Sequence, residues 1–137
     1  MDIEQDTLSG KRILLVDDER SMRETVRDLL SYDEHNVVEA NNGAEALRIF
    51  AQDRFDLVVT DWRMPFVEGD ELAVRIRELS PRQPILMITG HSRKPSRTNP
   101  VNAVLYKPFN LQGLRLAVAQ LLQKQDDCLE LNLCPGG

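Results

Sequence analysis

The sequence predicts an α/β protein built on a doubly wound parallel sheet. Short unbroken apolar runs, the pattern of strands buried on both faces, recur between residues 12 and 123. Between them lie segments whose apolar residues recur at helical spacing. Strand and helix signals therefore alternate, which implies βαβ units and helices on both sides of one sheet. The crossovers of such units are right-handed in nearly all cases, which leaves few other architectures.

Taken in order, Ile13-Leu14-Leu15-Val16 is the first strand. Met22, Val26, Leu29 and Leu30 mark one face of the helix after it, with Ser21 and Glu24 at capping-box spacing. A weaker strand over Asn36–Ala40 reaches the turn Asn41-Asn42-Gly43, where Asn42 is placed to cap a second helix. Its expected apolar face is Ala44, Leu47, Phe50 and Ala51. Leu57-Val58-Val59-Thr60 is the third strand and ends at Asp61. A loop through Met64-Pro65 and Gly69 leads to a third helix carrying Leu72, Ile76 and Leu79. Ile85-Leu86-Met87-Ile88 and Ala103-Val104-Leu105-Tyr106 are the fourth and fifth strands. The last helix starts near Asn110, with Leu111, Leu114, Val118, Leu121 and Leu122 on one face. Residues 91–100 hold two prolines and no apolar face, so a loop or a single turn is expected there. The fold expected is (βα)5-like, with its fourth helix shortened or absent.

Composition bounds the function. The 137 residues fit one domain, divided here into an extension (1–10), a domain (11–123) and a tail (124–137). A count of 17 basic against 22 acidic residues gives a net charge of −5, which argues against a general nucleic-acid binder. No apolar run is long enough to span a membrane, and the first ten residues lack the blocks of a secretory signal. A cytoplasmic protein is expected. Cys128 and Cys134 match no zinc spacing and cannot staple the domain from its far end. In the tail, Leu129, Leu131 and Leu133 recur at period two, a strand-like pattern.

In an open parallel sheet, ligands bind beyond the carboxyl ends of the strands. Here those ends carry Asp17-Asp18, Asp61, Thr89-Gly90 and Lys107-Pro108. Each is commonplace alone, as a capping loop, a turn or a β-strand threonine. Together they bring three carboxylates, a hydroxyl and an ammonium to one rim. Clustered carboxylates call for a raised pKa, a nearby cation or a metal. An all-oxygen cluster suits a hard divalent ion such as Mg²⁺. An aspartate can itself attack phosphorus, while lysine and threonine suit the oxygens of a phosphoryl group.

Leu15-Val16-Asp17-Asp18-Glu19, Asp61 with Met64-Pro65 and Gly69, Ile88-Thr89-Gly90 and Lys107-Pro108-Phe109 resemble the receiver domain of two-component response regulators. The resemblance covers about residues 11 to 123. It implies a flavodoxin-like sheet of order 2-1-3-4-5 and a phosphoryl transfer from a histidine kinase's phosphohistidine to Asp61. It further implies that Asp18 binds Mg²⁺ (or Mn²⁺) directly, Asp17 through water, and that the backbone carbonyl of Arg63 is the third protein ligand. Thr89 would contact the phosphoryl group and Lys107 would pair with it, beside a cis Lys107–Pro108 peptide. The partners implied are a sensor histidine kinase or phosphotransfer protein and a downstream protein target. Direct DNA binding by this chain is not expected, and a monomer or weak homodimer is.

Two departures from the family pattern stand out. The interval from Thr89 to Lys107 is 18 positions, short by about one helical turn. The family's aromatic switch position, three before the lysine, is Val104, and Tyr106 on the same side of the strand can substitute only in part. Phosphorylation is expected to survive with a different readout; loop 91–100, with Arg93, Lys94 and Arg97, is either a segment that orders or disorders with it or a solvated loop with no signalling role. Trp62, beside Asp61, is placed to report metal binding by fluorescence or to anchor the loop. Arg63 and His91 occupy positions that shape water access in the family. The competing reading is a phosphorylation-independent pseudo-receiver that acts by protein contacts. A phosphatase is disfavoured because Arg63 stands where a second acid is needed. Flavin or nucleotide binding is disfavoured because no glycine-rich loop follows a strand.

Overall fold

The structure, a computed structural model, describes residues 10–62, 64, 67–90 and 101–131, the stretch 124–131 by its backbone alone. Its elements are β1 (Arg12–Val16), α1 (Arg20–Ser31), β2 (Asn36–Ala40), α2 (Gly43–Gln52), β3 (Leu57–Asp61), α3 (Gly69–Leu79), β4 (Ile85–Thr89), β5 (Ala103–Tyr106) and α4 (Leu111–Leu131). All five strands are parallel, in the order β2-β1-β3-β4-β5. This is the doubly wound arrangement expected, with four helices among the described residues. The crossover segment 91–100, expected to be a loop or a single turn, lies outside the described residues.

The strand sequences explain the order. β1, β3 and β4 are continuous apolar runs and form the centre, where both faces are covered. β2 and β5 are more mixed and take the edges, half-buried. Alternation along the strands splits the core in two. Ile13, Leu15, Leu57, Val59, Leu86 and Ile88 pack under α1 and α4, which bury Val26, Leu30, Leu114, Val118 and Leu122. Leu14, Val16, Val58 and Ile85 pack on the opposite face against Ala46, Phe50, Leu72, Ala73 and Ile76 of α2 and α3.

Local signals held unevenly. Asn42 caps α2, its side-chain oxygen accepting the Glu45 N–H at 2.8 Å. The capping box at Ser21 and Glu24 does not form. Helix α1 begins two residues earlier than that box requires, with Glu19 as its N-cap, and Glu24 pairs with Arg20 instead. The buried face of α2 is Gly43, Ala46 and Phe50, so Ala44 and Ala51, assigned to the core, are exposed. Leu79 is 58% exposed, because α3 ends there and the chain leaves the sheet. The strand-like pattern expected in the tail is also corrected. Residues 124–131 continue α4, which places Leu129 and Leu131 in a helix.

Candidate functional site

Parallel pairing levels the strand ends. Val16 lies opposite Thr60, Asp61 opposite Ile88, and Thr89 opposite Tyr106. The residues at or just past these ends, Asp17 and Asp18, Asp61, Thr89 and Lys107, therefore share one rim, as the topology requires. One carboxylate oxygen from each of Asp17, Asp18 and Asp61 lies within 4.8 Å of the others. Lys107 Nζ stands 3.8 Å from Asp61 Oδ1.

Asp17, Asp61 and Lys107 are held by bonds to the main chain. The Asp17 N–H donates to Ala40 O on β2 at 3.2 Å, and Asp17 Oδ1 accepts the Glu19 N–H at 2.9 Å. Asp61 Oδ1 accepts the N–H of Trp62 at 2.9 Å. The Lys107 N–H donates to Thr89 O at 2.8 Å, which ties the lysine to the end of β4. Thr89 itself is fully buried. The Lys107–Pro108 peptide is cis.

Gly69, the first residue of α3, packs against the main chain of Asp61 and Trp62. Its N–H donates to Trp62 O at 2.7 Å, and a Cβ built there would lie 2.2 Å from Asp61 O. The chain can cross the Asp61 carbonyl so closely because this residue has no side chain.

The electrostatics are those of crowded acids. Burial pushes the Asp17 carboxyl up from 3.8 to about 6; the Glu19 N–H opposes this, the Asp61 charge adds to it, Lys107 opposes it, and Asp18 adds to it. Three converging carboxylates offer an all-oxygen donor set, which suits a hard divalent cation such as Mg²⁺ or Mn²⁺. A cation would also relieve the repulsion that raises Asp17. The donor chemistry therefore fits the metal.

Of the residues singled out from the sequence, Asp17, Asp18, Asp61 and Lys107 come together, and Thr89 joins them at the rim through its backbone bond to Lys107. Arg63, His91 and the basic residues of segment 91–100 lie outside the described residues. Val104 is half-buried on β5, and Tyr106, two positions on, is 43% exposed. Sequence reasoning missed Arg23 and Glu39. Arg23 Nη1 donates to Asp17 O at 2.8 Å, and its Nε donates to Glu39 Oε1 at 2.9 Å. The available signal was the position of Arg23, in the first turn of the helix that follows the acidic pair.

Comparison with known proteins bears on the family and the fold. The family described as "Response regulator receiver domain" matches residues 13–119. The chain is 38% identical over 125 residues to "Response regulator MprA" of Mycobacterium leprae (strain TN), covering 87% of this chain and 55% of that protein. The chain thus spans about half the length of the curated relatives it matches. Among solved structures it is similar to response regulator protein TrrA from Thermotoga maritima in complex with Mg(2+)-BeF, at 34% identity and a TM-score of 0.77, covering 81% of this chain and 98% of that one. A response regulator receiver domain protein from Clostridium thermocellum gives 27% identity and a TM-score of 0.79, covering 85% and 97%. A third similar chain comes from the complex of histidine kinase ThkA with TrrA, at 35% identity and a TM-score of 0.75, covering 82% and 98%.

Proposed function

The chain belongs to the response regulator receiver domain family of two-component systems, and on that premise we propose that it accepts a phosphoryl group on Asp61 from the phosphohistidine of a sensor histidine kinase or phosphotransfer protein. The observation that carries the reading is the meeting of three carboxylates within 4.8 Å, with Lys107 Nζ 3.8 Å from Asp61 Oδ1. A merely structural acidic turn needs neither the third carboxylate nor the lysine.

In the transfer, a carboxylate oxygen of Asp61 attacks phosphorus, the P–N bond breaks, and its electron pair returns to the imidazole nitrogen. The product is an aspartyl phosphate. Asp17, Asp18 and Asp61, with the Arg63 carbonyl, would hold the Mg²⁺. When bound, the ion supplies positive charge to the oxygens of the phosphoryl group. Lys107, whose Nζ lies 3.8 Å from Asp61 Oδ1, supplies a further positive charge. The Trp62 N–H orients the Asp61 carboxylate, and the Thr89 hydroxyl, at the end of β4, would contact the phosphoryl group carried by Asp61. Water later hydrolyses the acyl phosphate slowly, so the domain acts as a signalling module rather than an enzyme of turnover. Support for the donor comes from similarity to the chain solved in a complex with a histidine kinase.

A second reading, a pseudo-receiver that acts without phosphorylation, draws on Val104 at the aromatic switch position and on the exposure of Tyr106. One experiment separates them. Incubation with acetyl phosphate and Mg²⁺ is expected to add one phosphoryl mass to the wild type and none to Asp61→Asn. Wild type that gains no mass, with acetyl phosphate in excess, favours the pseudo-receiver.

A further inference from the structure

We propose that Arg23 is a positioning residue for the acidic pocket, acting through the main chain at Asp17. The inference rests on the reading that Asp17, Asp18 and Asp61 bind a divalent cation, and it adds how the first two are aimed.

The Arg23 side chain is 12% exposed, a deep placement for a guanidinium. It bridges two acceptors on different elements: Asp17 O at 2.8 Å and Glu39 Oε1 at 2.9 Å. Glu39 is itself fixed. Its other oxygen accepts from Arg27 Nη1 at 3.0 Å, and its backbone pairs with Leu15 on β1. The next residue, Ala40, accepts the Asp17 N–H. Asp17 is thus tied to β2 on both sides, directly through its N–H and by way of Arg23 and Glu39 through its C=O.

That carbonyl belongs to the peptide joining Asp17 to Asp18. The unit is planar, so holding the oxygen fixes the direction in which the chain enters Asp18. Asp18 is exposed, and its placement depends on the main chain more than on packing. The fork of an arginine can hold both acceptors at once, whereas a lysine is a single point of charge.

Charge alone predicts the opposite effect on metal binding. A guanidinium beside a cation site repels the cation, so its removal should tighten Mg²⁺ binding. Loss of positioning should weaken it, by about tenfold if this support resembles those around other metal sites. The sign of the change separates the two.

The experiment titrates Mg²⁺ into the full chain, followed by Trp62 fluorescence and by calorimetry, with urea unfolding of each variant as a fold control. Arg23→Ala is expected to raise the Mg²⁺ dissociation constant about tenfold. Glu39→Gln should move it in the same direction, and the double variant should be no weaker than Arg23→Ala alone, as coupled partners require. Arg23→Lys should fall between wild type and Arg23→Ala. Mg²⁺ binding that is unchanged or tighter in Arg23→Ala overturns the proposal, whatever the change in stability. Full wild-type affinity in Arg23→Lys overturns the bridging role. Should Arg23→Ala fail to fold, the near-isosteric Glu39→Gln decides, and unchanged Mg²⁺ affinity there overturns the proposal. Wild type that binds no Mg²⁺ sinks the metal-site reading and this inference together. Wild type that binds Mg²⁺ but takes no phosphoryl group sinks the phospho-acceptor reading alone, and the titrations still decide on Arg23.

Discussion

Asp17→Asn is expected to stabilise the metal-free protein at alkaline pH while impairing the site. Asp17 is 5% exposed, and its carboxyl is raised from 3.8 to about 6, chiefly by burial. The folded state therefore holds its proton to higher pH than the unfolded state does. Stability is lost as pH rises through the window from 3.8 to about 6, and the loss is complete above it. At about 1.4 kcal/mol per pKa unit, this rise corresponds to an upper bound of about 3 kcal/mol. Asparagine keeps an oxygen for the Glu19 N–H and carries no charge to bury. Urea unfolding at pH 8 with a chelator should show the variant more stable by up to about 3 kcal/mol, or about 1–2 M in midpoint for a small domain. Near pH 4 the gain should largely vanish. Excess Mg²⁺ should narrow the gap at pH 8, because it stabilises the wild type by mass action. A variant no more stable than wild type at pH 8 without metal, or equally favoured at pH 4 and pH 8, would refute the reasoning.

Removal of the ammonium by Lys107→Ala should move the Asp17 titration, followed by NMR, above about 6, since that charge holds the carboxyl down; an unchanged midpoint counts against the shared rim. Gly69→Ala places a Cβ against the Asp61 carbonyl and should cost at least about 2 kcal/mol in urea unfolding. The cut from Leu114 to alanine opens a cavity under the α1–α4 face and should cost about 2–5 kcal/mol. Asn42→Ala loses the α2 cap, a cost of about 1 kcal/mol that thermal unfolding will resolve.

What was legible in the sequence follows from which residues carry an unambiguous signal. The runs at Ile13–Val16, Leu57–Thr60 and Ile85–Ile88 are apolar without alternation, so they could only be central strands, and they are. Carboxylates at strand ends were legible for the same reason, since topology alone brings them together. Helix faces read less well where the residues are small. In α2, Ala44 and Ala51 looked no less apolar than Ala46, and the packing against α3 and Phe50 decided between them. The capping box at Ser21 failed because helix α1 begins at Arg20, a shift of two residues that local sequence does not encode. Arg23 was invisible because an arginine on a polar helix normally reads as a solvated charge. Its burial arises where α1 lies over Glu39 of β2, a contact between elements 16 residues apart.

The 3.8 Å between Lys107 Nζ and Asp61 Oδ1 exceeds hydrogen-bond range, although the lysine backbone is firmly held by Thr89. The resting pair therefore attracts without closing. A substituent that lengthens the aspartate toward the ammonium would meet a donor already in place, and would gain a contact that the bare carboxylate does not make. Differential affinity of this kind favours the modified side chain over the unmodified one. If Asp61 is phosphorylated as proposed, the spacing of this ion pair would let the lysine distinguish the modified side chain from the bare one.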